Sequence, residues 1–145
     1  MPELAQALQV SVPELLTGVC AQNQNTAGNM RRSRFYVCPV CGNVIHAMGE
    51  GSFSCHGIQL PLLEPEEGNP EHALKTEMAD GEYYVTMDHP MTKMHYISFA
   101  AYVTTDTLYL TKLYPEQDMA VHFPKRGRGE LYVYCNRHGL FRAAL

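Results

Sequence analysis

The chain predicts a mostly β protein: short N-terminal helices, a small metal-knuckle unit, then an antiparallel β-sandwich or barrel. Three observations carry this. From about Leu74 to the C-terminus, short β-rich segments recur between tight turns with no long helical pattern among them. Between Arg34 and Glu64 a Cys-x-x-Cys-Gly string lies among short strands and glycine turns. Helical signals are confined to residues 2–17.

In chain order, residues 2–17 read as two short helices, with Leu4, Leu8 and Val10 expected inward in the first. Ser11 is placed to cap the second, with Pro13 and Glu14 in its first turn. Residues 18–33, rich in Asn, Gln, Gly and Ala, read as a linker. The division expected is 1–33 for helices and linker, 34–66 for the metal-binding unit and 67–145 for the sandwich. Within the second unit, strands are expected over Arg34–Cys38, Asn43–Met48 and Ser52–Cys55. About 30 residues cannot bury an adequate core, so this unit needs a metal staple. In the third, Glu82–Met87 follows an Asp80-Gly81 turn. His95–Thr104 then alternates, with His95, Ile97, Phe99, Ala101 and Val103 on one face. Thr105-Asp106 turns into Thr107–Thr111; Met119–Phe123, Leu131–Cys135 and Leu140–Arg142 complete the set.

Composition bounds the function. The 145 residues are 46% apolar and 18% charged, which reads as globular rather than disordered. A net charge of −4 argues against a general nucleic-acid binder. The two basic clusters, Met30–Arg34 and Lys125–Arg128, are short and read as solvated loops. No apolar run approaches the ~20 residues of a membrane span. No basic stretch precedes an apolar one at the N-terminus, so no signal peptide is expected and the cytoplasm is the default. Five cysteines without a secretory signal argue against a disulfide framework and for metal or redox chemistry.

Two metal constellations stand out. Cys38-Pro39-Val40-Cys41-Gly42 can present two thiolates to one ion, and Cys55 with His56 is the candidate pair that closes a tetrahedron. Such a Cys3His set suits zinc and tolerates iron. His46 is the alternative fourth ligand, but it lies mid-strand and is expected to be exposed. The second constellation is Cys135-Asn136-Arg137-His138, a Cys-x-x-His pair able to share an ion from one turn. His89 and His95 lie six apart across a proline-containing loop, and His72 precedes a strand. Spacing alone links Cys135 to His138 and does not say that the other three join them.

These residues resemble the superoxide reductases of the two-domain desulfoferrodoxin type. The resemblance runs from about Phe35 to Phe141. It rests on the Cys-x-x-Cys-Gly-Asn knuckle with Cys55-His56-Gly57, on His72, on His89-Pro90-Met91-Thr92-x-x-His95-Tyr96-Ile97, and on Tyr134-Cys135-Asn136-x-His138-Gly139-Leu140. It implies a desulforedoxin-like knuckle followed by an immunoglobulin-like sandwich. It further implies iron bound by the imidazoles of His72, His89, His95 and His138 and by an axial Cys135 thiolate, with the sixth position open. The activity implied is one-electron reduction of superoxide to hydrogen peroxide. A rubredoxin-like electron donor and a homodimer or homotetramer are implied with it. Backbone amides of the turn holding Asn136 and His138 are expected to hydrogen-bond the sulfur.

Three departures from that family's pattern are visible. The family has adjacent cysteines, and an iron bound by four thiolates, where this chain has Cys55-His56. It has Glu-Lys before the first ligand histidine, where this chain has Pro70-Glu71. Glu71 has the wrong sign to attract an anion, and Lys93, between His89 and His95, is the expected substitute. Residues 2–17 resemble the tail of a phage-repressor-type helix-turn-helix domain without its recognition helix, so DNA binding is not expected; a start assigned too late would account for the truncation. Cys20 matches nothing and is expected to be a bystander thiol. The competing functions are an iron- or redox-sensing regulator with a truncated DNA-binding part, and a non-catalytic zinc or iron module.

Overall fold

The computed structural model describes residues 2–9, 11–19 and 30–145. Val10, Cys20 and the rest of 20–29 in the expected linker lie outside the described residues. Helices α1 (Pro2–Leu8) and α2 (Val12–Thr17) form at the N-terminus. The Ser11 hydroxyl accepts from the Glu14 amide at 3.3 Å, and the Glu14 carboxylate accepts from the Ser11 amide at 2.7 Å. This reciprocal capping box satisfies two amides that a helix start leaves unpaired. Leu4 and Leu8 do not turn inward as expected: they are 50% and 56% exposed, and Ala5 is the residue α1 buries. Seven residues make under two turns, so the buried stripe is one small residue wide.

Next come β1 (Arg34–Val37) and β2 (Val44–Ala47), an antiparallel pair around the cysteine knuckle. A second, minimal hairpin pairs β3 (Ser54–Cys55) with β4 (Ile58–Gln59). The rest of the strands are β5 (Glu66–Glu67), β6 (Leu74–Ala79), β7 (Glu82–Met87), β8 (Ile97–Val103), β9 (Leu108–Lys112), β10 (Ala120–Pro124), β11 (Glu130–Cys135) and β12 (Gly139–Ala144). The Asp80-Gly81 turn between β6 and β7 has φ of +52° and +79°, the mirror-image turn whose twist matches paired strands. No helix among the described residues is long and apolar enough to cross a membrane.

Two sheets result, β10-β7-β6 and β5-β12-β11-β8-β9. The open alternative, sandwich or barrel, resolves as a sandwich, since no strand is shared between them. Val85, Met87, Val121 and Phe123 of the smaller sheet pack against Ile97, Tyr102, Leu131, Val133 and Phe141 of the larger. The larger sheet is also covered on its outer face. Phe35 of β1 inserts there among Phe99, Ala101, Val103, Tyr132 and Leu140. Its ring lies 5.3 Å from those of both Phe99 and Tyr132. This double cover is why every residue of β8 is buried.

One expectation about β8 fails for an instructive reason. Ile97 was placed on the face of Phe99, Ala101 and Val103, yet it joins the inner core with Ala100 and Tyr102. Tyr134 of β11 pairs with Phe99, but Cys135 pairs with Ile97, so Ser98 is an extra residue. Such a bulge reverses which face the preceding residues present.

Phe35→Ala is expected to destabilise the protein by about 3–5 kcal/mol. Thermal unfolding checks this, and limited proteolysis should cut first within 34–64, since Phe35 joins that segment to the sheet.

Candidate metal centres

Cys135 ends β11 and is fully buried in the inner core. The bulge opposite it is held by a lysine that sequence reasoning did not single out. Lys112 of β9 donates to the Ser98 carbonyl and hydroxyl, both at 2.9 Å, and to the Leu113 carbonyl at 3.0 Å. Burial pushes its pKa down from the usual value. The turn after Cys135 then clamps the loop that carries His95. The Asn136 side chain accepts from the Tyr96 amide at 2.8 Å and donates to the Met94 carbonyl at 3.1 Å. The Asn136 amide donates to the Tyr96 carbonyl at 3.1 Å. That amide was expected to serve the Cys135 sulfur and is committed elsewhere, because the loop carbonyl lies within reach.

Around Cys135, the structure gathers His72, His89, His95 and His138. One ligand atom from each and the Cys135 Sγ all lie within 4.8 Å of one another. The rings form a closed cycle: His72–His89 4.9 Å, His89–His95 4.6 Å, His95–His138 4.9 Å and His138–His72 4.9 Å between centroids. Sides so nearly equal describe a four-cornered girdle. His138 directs Nδ1 toward the Cys135 Sγ, 3.5 Å away.

The Nε2 atoms of His72, His89 and His95 are buried and have no protein partner. Orphaned buried nitrogens are costly unless something fills the space they share. The other ring nitrogens of His72 and His89 are engaged. His72 Nδ1 lies 3.0 Å from the Asn69 side-chain oxygen, and His89 Nδ1 lies 2.6 Å from the Pro90 carbonyl. Both partners accept, so each Nδ1 donates and leaves a lone pair on Nε2, aimed inward. Asn69 also caps the short 3-10 turn Pro70–His72 through the His72 amide at 2.9 Å. The His72 ring stacks on Phe141, with centroids 4.1 Å apart and planes 12° from parallel. Sequence reasoning missed Asn69 and Phe141. An Asn-Pro start to a turn was the one available signal for the first; the second gave none.

Burial lowers the pKa of His72, His89 and His95 below the ordinary 6.5, and neighbouring imidazoles add to it. The Glu71 carboxylate opposes that shift on all three. The set is therefore neutral near pH 7 and ready to ligate. A cleft of about 330 Å³ opens beside the imidazoles, lined by Glu71, His72, Asp88, His89, Pro90 and His95. Lys93 is exposed and is not among its lining residues. The donors fit a borderline ion such as ferrous iron: soft thiolate, four imidazoles, and five ligands rather than the four zinc prefers.

A second group lies on the knuckle. Cys38, Cys41, Cys55 and His56 also bring their donor atoms within 4.8 Å. The Cys41 and Cys55 sulfurs are 3.7 Å apart, and His56 Nδ1 lies 3.2 Å from the Cys55 Sγ and 3.8 Å from the Cys38 Sγ. The Cys41 backbone amide leads a set of hydrogen bonds that lowers the Cys38 pKa to about 6. Contacts with the Cys38 and Cys41 sulfurs raise Cys55 to about 11. His46 does not join them: it is half-buried rather than exposed, its Nε2 2.9 Å from the Ser33 hydroxyl and its ring against Phe35. Packing of β2 over Phe35 covers it.

No protein-family profile matches the chain. A desulfoferrodoxin from Desulfarculus baarsii is 30% identical over 121 residues, 77% of this chain and 96% of that protein. The chain belongs to the desulfoferrodoxin family. A desulfoferrodoxin homolog from Archaeoglobus fulgidus is 29% identical over 117 residues, 74% of this chain and 94% of that protein. The fold is that of the superoxide reductase from Treponema pallidum, with a TM-score of 0.69 and 23% identity over 78% of this chain and 98% of the other.

Asn69→Ala is expected to weaken iron binding by about 10–100-fold, the usual effect of removing a partner behind a ligating imidazole. Chelator competition measures it, with circular dichroism unchanged. The metal-free protein should lose stability as pH falls below 6.5. There the unfolded histidines take up protons that the buried ones, with lowered pKa values, refuse, so stability rises with pH across that window. Urea unfolding at a series of pH values checks this.

Proposed function

We propose that the chain is a superoxide reductase, catalysing one-electron reduction of superoxide to hydrogen peroxide. The observation that carries this reading is the closed girdle of four imidazoles beside one buried thiolate, with three buried Nε2 atoms that no protein group satisfies. His72, His89, His95, His138 and Cys135 hold the catalytic iron. Ferrous iron held there would supply one electron, and two protons taken from water would complete hydrogen peroxide.

The chain's own residues set the conditions. Cys135 is buried on the core side, so its thiolate donates charge without being reached by solvent. The cleft beside the imidazoles admits a small anion and the water that supplies protons. Glu71 and Asp88 make its rim acidic, so entry of superoxide is not helped by charge there. Lys93, on the exposed loop between two ligands, supplies the attraction instead. Cys38, Cys41, Cys55 and His56 hold a second ion, iron or zinc. The external reductant is a rubredoxin-like protein, the compartment the cytoplasm, and the assembly a homodimer or homotetramer through open sheet edges. Neither nucleic acid nor membrane is a partner.

Protein purified without oxygen and loaded with ferrous iron should develop a thiolate-to-ferric absorption band in proportion to superoxide added. Cys135→Ser should abolish that band while leaving the iron bound by four imidazoles. An iron-replete protein that shows no band on oxidation would remove the axial thiolate from the reading.

A further inference from the structure

We infer that Cys38, Cys41, Cys55 and His56 form a structural zinc site that carries no electrons, so that this chain sorts two metals by the number and type of donors. The inference deepens the reading above and depends on it only for the iron in the five-donor site.

Geometry comes first. A tetrahedral ion with sulfur at about 2.3 Å and nitrogen at about 2.0 Å has sulfur–sulfur edges near 3.8 Å and sulfur–nitrogen edges near 3.5 Å. The structure has a sulfur–sulfur edge of 3.7 Å and sulfur–nitrogen edges of 3.2 and 3.8 Å. These edges fit ligands closing on one ion, and the group holds four donors among the described residues.

His56 is a ligand for a reason visible in the backbone. Cys55 pairs with Ile58, so His56 and Gly57 are the two residues of the hairpin turn. Their φ values are +53° and +73°. Both positions of such a turn favour Asn, Asp or Gly, and histidine is one of the few other side chains that enter the left-handed region readily. The left-handed conformation is what swings Nδ1 back beside the adjacent Cys55 sulfur. Its nitrogen then lies 3.2 Å from the Cys55 sulfur and 3.8 Å from the Cys38 sulfur, where it can serve as the fourth donor.

The donor set then chooses the metal. Three thiolates and a neutral imidazole carry one negative charge fewer than four thiolates, which weakens stabilisation of ferric iron and raises the potential, as imidazole-for-thiolate replacement does in iron–sulfur centres. Zinc has no redox demand and accepts uneven tetrahedral edges. On common donors it also binds more tightly than ferrous iron. The five-donor girdle around Cys135 is the opposite case, since it offers more ligands than a structural zinc takes. The segment also needs a staple: its own core cluster buries only Tyr36, Cys38 and Leu60. Electrons for the reaction therefore reach the Cys135 site from outside without passing through the knuckle.

The test is metal analysis of the full chain, purified anaerobically from cells supplied with both metals, with zinc-edge X-ray absorption of the wild type. The expected result is one zinc and one iron per chain, the zinc with three sulfurs and one nitrogen. His56→Ala should weaken zinc retention against a chelator by more than about tenfold, the least that loss of even an outer partner costs, and should leave the thiolate-to-ferric band of Cys135 in place. If that variant does not fold, the wild-type zinc spectrum still decides. Two irons per chain, with no zinc retained, would overturn the zinc assignment and leave the five-donor reading standing. Zinc with four sulfurs or without nitrogen would overturn the role of His56.

Discussion

The pairing of β11 with β8 at its last residue is the constraint on which the rest of the structure depends. Without the extra residue at Ser98, strict alternation would put Ile97 on the outer face with Phe99. The bulge instead seats Ile97 and Cys135 together in the inner core. That placement keeps the sulfur away from solvent and leaves its far side to the imidazoles. Lys112 stabilises the bulge through three hydrogen bonds, all to neutral oxygens. The bulge and the site are one feature: the irregularity in the ladder is what sets Cys135 beside the imidazoles.

From that point the imidazoles are brought in by short-range devices in the loops and turns that join the strands. Asn136 ties the His95 loop to the end of β11, so two ligands separated by 40 or more residues in sequence share one clamp. His72 is fixed by Asn69 on one edge and by Phe141 on its face. His89 is fixed by its neighbour's carbonyl. His72 and His89 thus have the free nitrogen chosen by the partner of the other nitrogen, so preorganisation of these two costs the ion little on binding. The knuckle uses another device, a left-handed turn that lets two adjacent residues face the same point.

The N-terminal segment is more than an attachment. Phe35 belongs to the outer core of the larger sheet and also begins the strand that leads to Cys38. The knuckle's position is therefore tied to the sandwich through a shared aromatic core, and the boundary drawn near residue 66 divides the sequence more cleanly than it divides the packing.

Much was legible in the sequence. The strand segments and the Asp80-Gly81 turn follow from local preference and alternation, and the capping box of α2 from Ser11 and Glu14. The Cys38/Cys41 and Cys135/His138 pairs follow from spacing, because each lies within a single turn. Family resemblance, not spacing, assembled His72, His89 and His95 with them. What no local rule carries is the bulge at Ser98, the exposure of Leu4 and Leu8, the cover over His46, and the roles of Asn69, Lys112 and Phe141. These depend on which strand lies opposite and what packs above, and such contacts join residues far apart in the chain. Sequence by itself determined the donor types and their local pairs; tertiary structure decided that five of them gather at Cys135 and four on the knuckle, because only strand pairing and loop clamps set distances between remote side chains.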